Sequence, residues 1–550
     1  MLGPALRITL GIGALAMIAT GGRAAGAETS NRCPGDAALE HLVIIFDENV
    51  SFDHYFGTYP KAANPKPDAN GKTEPQFDAK PHTPQVNGLY GEGFWTNNPN
   101  SKDPFRLDRS QAATSDQDHG YRDEQEAFDN GHMDLFPEST GSVKGGPDYG
   151  HGKGIVMGVY DGNTVTALWN YAQNFAMSDN SFGTTFGPST PGALNLVAGR
   201  TGPVEESNWM PAGNDVANPG KPTGEGGAVI GDSDPLFDVC SDPSAYQVRV
   251  QGPNIGDLLS QAKKPVTWGW FQGGFRRVDP DLPYGKRKCT SRHKNLGGYE
   301  VYDYVAHHEP FQYFKSTANL YHKAPSDPKL IGTNLDGTNH QYDLEDFFWA
   351  IDHKRMPAVS FLKPAAYQDG HAGIEWESDP LDEQKFLVDT INKIEKLPEW
   401  NTTAIVIMWD DSDGWYDHVM GPIVSQSHTP YDSLSGPQSP RGVASPDRIP
   451  SGRCEGDNPK LSSPGRCGYG PRLPLLIISP FAKVNSVDHS LTDQSSVIRY
   501  IEDRWLGGKR LGNGSTDAIA GSLCKMFDFV DKPAHSVFLD PETGLKKTNQ

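Results

Sequence analysis

Two apolar runs that each stop on carboxylates constrain this 550-residue chain more than any other feature. The first, Ile44-Ile45-Phe46, ends in Asp47-Glu48-Asn49, and the second, Ala404-Ile405-Val406-Ile407-Met408-Trp409, ends in Asp410-Asp411. Near-continuous apolar runs of this length suit strands buried on both faces. In an open α/β sheet the functional groups gather just beyond the strand ends. Two strands that deliver hard oxygen ligands to one sheet edge point to a single divalent cation held between them. Acids after a strand also serve as helix caps and turn formers. That reading explains either pair alone and makes their repetition a coincidence.

Further strand candidates are His41–Phe46, Pro265–Phe271, Ala358–Leu362, Thr403–Met408 and Leu473–Ser479. Helical spacing separates them: Val165, Leu168, Trp169 and Ala172; Leu387, Ile391 and Ile394, stopped by Pro398; Val497, Ile498, Ile501 and Trp505. The alternation predicts an α/β three-layer sandwich, with a mostly parallel central sheet and helices on both faces. Residues 57–118, 201–236 and 420–470 are rich in Pro, Gly, Ser or other polar residues and read as long loop insertions. Long ordered loops in an enzyme commonly form the walls of its site.

A net charge of −20 opposes nucleic-acid binding, and no positively charged membrane-binding stretch stands out. Arg7, the apolar run Ile8 to Thr20 and the small residues Ala25-Gly26-Ala27 read as a signal peptide over 1–27, with the domain over 28–550. The apolar run is shorter than the roughly 20 residues a bilayer requires, so no stable membrane insertion is expected. Export to the periplasm or the extracellular space fits the six cysteines. Cys454 with Cys467 and Cys240 with Cys289 are the preferred local pairs, which leaves Cys33 for Cys524.

Phe186-Gly187-Pro188-Ser189-Thr190-Pro191-Gly192 leads into an apolar helical stretch. A helix start offers free N–H groups and a positive dipole end, both suited to a phosphate. A hydroxyl placed there, ionised by a cation, attacks phosphorus. The competing reading is a plain N-cap. Of the 17 histidines, His119, His307, His308 and His371 lie in contexts that suit phosphoryl binding or proton donation. His54 and His418 are placed as supports of the metal loops, and His353 has no informative context.

Asp47-Glu48-Asn49-Val50-Ser51-Phe52-Asp53-His54-Tyr55-Phe56-Gly57, Gly187-Pro188-Ser189, His307-His308-Glu309-Pro310-Phe311, and Trp409-Asp410-Asp411 with Gly414-Trp415-Tyr416-Asp417-His418 together resemble a bacterial phosphoesterase family. That family joins secreted phospholipases C to AcpA-type acid phosphatases and looks like a branch of the alkaline-phosphatase superfamily. The resemblance implies an alkaline-phosphatase-like fold. It implies one divalent ion (Ca, Mg, Mn or Zn) on Glu48, Asn49, Ser189, Asp410 and Asp411, with Ser189 as the phosphorylated nucleophile. It places His119, His307, His308 and His371 around the phosphoryl group. The run Pro191-Gly192-Ala193 after Ser189, and Met420-Gly421-Pro422 after Val419, depart from the phospholipase pattern. The expected activity is therefore hydrolysis of small phosphomonoesters, acid-phosphatase type. Phospholipase C acting on phospholipid headgroups is the alternative, and a catalytically dead binding protein is the second.

Overall fold

The computed structural model describes residues 1, 32–67, 71, 73–91, 93–206, 216–217, 227–242, 244, 246–276, 289–373, 378–434 and 451–547. The proposed signal segment, apart from Met1, and parts of the three loop insertions lie outside the described residues. Eight strands make the main sheet: β1 (His41–Asp47), β2 (Ala176–Ser178), β3 (Trp268–Gln272), β4 (Gln341–Asp343), β5 (Val359–Lys363), β6 (Thr403–Trp409), β7 (Leu475–Ile478) and β8 (Ser486–Asp488). Their spatial order is β4-β3-β5-β1-β6-β7-β2-β8. β7 pairs antiparallel with both neighbours, and every other pairing in the sheet is parallel.

The mostly parallel α/β sheet matches the expectation. All five foreseen strands are present, with β3 starting at Trp268 rather than Pro265 and β7 trimmed at both ends. β5, β6 and β7 are buried along their whole length, as both faces of the sheet are covered. β1 is buried throughout after its first residue. The strands β2, β4 and β8 have three residues each and no apolar run, so tertiary pairing rather than local pattern makes them strands.

The helices that matter for the site are α1 (Phe52–Phe56), α2 (Tyr121–Phe128), α3 (Thr166–Asn174), α4 (Ser189–Ala198), α5 (Pro380–Glu395) and α6 (Ser495–Trp505). α5 starts on an Asp379 cap, whose carboxylate accepts from the N–H groups of Leu381 and Asp382, and carries Pro380 in its first turn. α3 packs against α5, and α4 against α6. Disulfides join Cys33 to Cys524, Cys240 to Cys289 and Cys454 to Cys467, the pairing expected from the sequence.

Register fixes what the sheet edge presents. Asp47 lies opposite Trp409, so Glu48 and Asp410 leave adjacent strands side by side. Ile45 lies opposite Leu362 on the other flank, which brings Lys363 to the same edge. The Asp410 N–H donates to Asp47 O at 3.2 Å and the Val50 N–H to Asp411 O at 3.0 Å, stitching the two acidic corners together.

Candidate active site

Glu48, Asn49, Asp410 and Asp411 lie together at the sheet edge, and Ser189 arrives from α4. The Ser189 hydroxyl lies 2.9 Å from Glu48 Oε2, 3.1 Å from Asp411 Oδ2 and 3.5 Å from Asn49 Oδ1. It is the first residue of its helix. The cap position belongs to Pro188, which offers no capping side chain. The hydroxyl is thus committed to the acidic corner and not to the helix N–H groups, against the plain-cap reading. Gly192 permits the approach: a Cβ there would lie 2.1 Å from Asp410 O. Gly187, at φ 111°, supplies the left-handed turn into the helix. Asn49 is itself left-handed at φ 43°, a region Asn enters more readily than most residues.

The donor set fits a hard divalent cation. Asn49 joins the cluster through its amide, which in the orientation that satisfies its neighbours donates to Glu48 Oε2 at 2.5 Å and Asp410 Oδ1 at 2.8 Å and accepts from His371 Nε2 at 2.9 Å. Carboxylate and amide oxygens packed this closely are the ligand types a hard divalent cation takes. Burial, followed by repulsion from Glu48, raises the Asp410 carboxyl far above its usual range. Burial first, with Asp410 adding to it and His119 opposing, brings Asp411 up to about 7. A dication would relieve that crowding.

The four histidines line the same region, and burial and neighbouring charges push His119 and His307 one way and His308 the other. Burial alone would lower His119, but Asp411, Asp413 and Asp116 outweigh it and hold the imidazole well above its usual range. Its Nδ1 lies 3.0 Å from Asp413 Oδ1. His307 is likewise opposed by burial, yet Asp232, Asp234 and Glu48 raise it to about 9. His308, 3.1 Å from Glu48 Oε1, goes the other way. Burial, then Lys363, His307 and His371, hold it well below its usual range. The His371 ring stands 6.0 Å from that of His119, centroid to centroid.

His54 and His418 bind neighbouring segments rather than Ser189. The His54 ring stacks on Trp415 at 3.9 Å, and its Nδ1 lies 2.7 Å from Gly158 O. His418 Nδ1 lies 2.5 Å from Asp53 Oδ2. Arg472, fully buried, ties the two acidic loops together by donating to Asp53 Oδ1 at 3.0 Å and Asp417 Oδ2 at 3.1 Å.

Sequence reasoning missed several participants. Lys363 ends an apolar strand in a charge, the very signal used for the acids, and its ammonium contacts Glu48 Oε1. Asp232, which accepts the Thr190 N–H at 3.0 Å, and Asp234, 3.6 Å from His307, lie in a Gly/Pro-rich segment without periodicity. Glu124 of α2 accepts from Ser412 Oγ at 2.7 Å and from the Gly187 N–H at 2.9 Å, buttressing the nucleophile turn. A cavity of about 730 Å³ opens beside Pro188 and His119. Its wall includes Asp116 and Asp118, Ile230 to Asp232, and Pro430 and Tyr431, so residues from all three long segments border it.

The profile of the Phosphoesterase family matches residues 39–506, and the chain belongs to that family. The non-hemolytic phospholipase C of Pseudomonas aeruginosa is 24% identical over 90% of this chain and 58% of its own length. Phospholipase C B of Mycobacterium tuberculosis is 24% identical over 91% of this chain and 80% of its own. The chain thus spans little more than half the length of the Pseudomonas relative. A solved structure from Vibrio parahaemolyticus, described as a protein in the alkaline phosphatase superfamily, shares 11% identity over 62% of this chain and 60% of its own, at a TM-score of 0.27.

Proposed function

We propose that this chain is an exported, metal-dependent hydrolase of phosphate esters that acts through a phosphoserine on Ser189. One observation carries the reading: a buried serine hydroxyl at a helix N-terminus, 2.9 and 3.1 Å from two carboxylates that arrive from different strands. Glu48, Asn49, Ser189, Asp410 and Asp411 would hold the cation, which supplies Lewis-acid charge when bound. The chain's own groups do the rest. α4 aims its positive end at the incoming phosphoryl group, as helix starts do for anions. Ser189 Oγ gives up its proton to a carboxylate it already donates to, Glu48 or Asp411, and attacks phosphorus; the bond to the leaving alcohol breaks, and His307 or His371 gives that alcohol its proton. Charged His119 and His307 offset negative charge on the phosphoryl oxygens. Water then cleaves the phosphoserine.

Small phosphomonoesters remain the substrates that the departures at Pro191-Gly192-Ala193 favour. The second reading, phospholipase C, is favoured by the names of the relatives. It also suits the cavity wall, where Asp116, Asp118, Asp123 and Asp232 would suit a cationic headgroup. Three disulfides fit export, and among the described residues no helix is long and apolar enough to cross a membrane. Side-by-side turnover of a chromogenic phosphomonoester and of phosphatidylcholine, with and without chelator, tests the reading. Hydrolysis of one and not the other assigns the substrate class. Unchanged turnover after metal removal sinks the metal dependence.

A further inference from the structure

Glu48 and Asp410 each face two ways. Glu48 Oε2 and Asp410 Oδ1 belong to the ring around Ser189 and Asn49. Their other oxygens turn into a second, equally buried compartment. There Glu48 Oε1 lies 3.1 Å from His308 Nδ1, and Glu48, His308 and Asp369 bring ligand atoms within 4.8 Å of one another. Asp410 Oδ2 points into the same compartment, fully buried and without a hydrogen-bond partner. Two carboxylates that bridge from one ligand set to another, completed by a histidine and a further acid, form the donor arrangement of a dinuclear centre. The second compartment is already taken. The Lys363 ammonium contacts Glu48 Oε1 and lies 3.7 Å from Asp410 Oδ2, its side chain 1% exposed.

We propose that Lys363 is a built-in monocation standing where a second divalent ion would otherwise bridge Glu48 and Asp410, and that it fixes the centre at one exchangeable metal. The inference rests on the cation-binding reading above and adds the residue that limits the centre to one ion. Lys363 is the last residue of β5, so strand register sets where its stem leaves the sheet. A lysine ammonium is a compact point charge, able to neutralise two carboxylates without bringing a metal's coordination demands. Shortening the side chain would remove the ammonium from between Glu48 and Asp410, beside His308 and Asp369. An arginine would keep the positive charge.

The test is metal content per chain after loading purified protein with Mn²⁺ and removing the excess, read by elemental analysis and by the Mn²⁺ paramagnetic resonance spectrum. Wild type and Lys363→Arg are expected to hold one Mn²⁺ with the spectrum of an isolated ion. Lys363→Ala is expected to hold two, with the spectrum of a coupled pair and unchanged far-ultraviolet circular dichroism. One ion in a folded Lys363→Ala variant overturns the role of Lys363 and leaves the cation site standing. No ion in wild type overturns the cation site itself, and this proposal with it. Two ions in wild type overturn the proposal whatever the variants do. If Lys363→Ala does not fold, Lys363→Gln is read in the same way.

Discussion

Arg472→Met isolates what holds the two acidic loops in register. The guanidinium is fully buried and donates to Asp53 at 3.0 Å, Asp417 at 3.1 Å, and the carbonyls of Asn87 at 2.8 Å and Asp179 at 3.1 Å. Methionine keeps an unbranched apolar stem beside Phe52 and strands both carboxylates. Breaking a buried pair from one side costs about 3–5 kcal/mol, a large share of the roughly 5–15 kcal/mol that stabilises a native domain. The sign with pH follows from Asp53. Burial would raise it, but His418 and Arg472 outweigh burial and hold it below its usual value. Its pairing therefore contributes stability above the unfolded pKa of about 3.8, lost as pH falls. Without Arg472 the stranded acids take up protons at higher pH, so the deficit of the variant should shrink as pH falls from 7 toward 4. Chemical unfolding followed by tryptophan fluorescence at several pH values measures this. A deficit under about 1 kcal/mol, or one independent of pH, would refute the charge-pairing account and leave only lost packing.

Other outcomes follow from the same geometry. Ser189→Ala should lower turnover of a phosphate ester by roughly a thousandfold or more at unchanged melting temperature; near-normal turnover removes Ser189 as nucleophile. His307 holds its proton up to about 9, so kcat/KM should fall along an alkaline limb no higher than that. His307→Gln should abolish that limb, and an unaltered profile would exclude His307. Burial raises the Glu395 carboxyl to about 8, opposed by the Val537 N–H at 2.9 Å. The fold keeps a proton that the unfolded chain loses near 4.5, so stability declines as pH rises from 4.5 to 8. Glu395→Gln should therefore raise the melting temperature progressively across that window; a pH-independent difference would contradict the shift.

The sheet was legible where strands are long and buried on both faces. β1 and β6 announce themselves as apolar runs, and their acidic ends announce the site. Strand direction has no local signature, so the reversed β7 does not follow from Leu473–Ser479. β2, β4 and β8 are too short and too polar to stand out. Among site residues, Ser189 is readable from its turn because Gly, Pro and a following helix mark it. Lys363 carries the same strand-end signal as Glu48 and Asp410 yet reads as an ordinary charged terminus, since only the register of β5 against β1 shows what it faces. Asp232 and Asp234 act through tertiary proximity to His307 and have no periodic context.

Mass spectrometry of acid-quenched protein during turnover reads the phosphoserine itself. One phosphoryl group is expected on the peptide that contains Ser189, absent from Ser189→Ala. Steady turnover with that peptide unmodified at every quench time, or with the phosphoryl group on another residue, would contradict it.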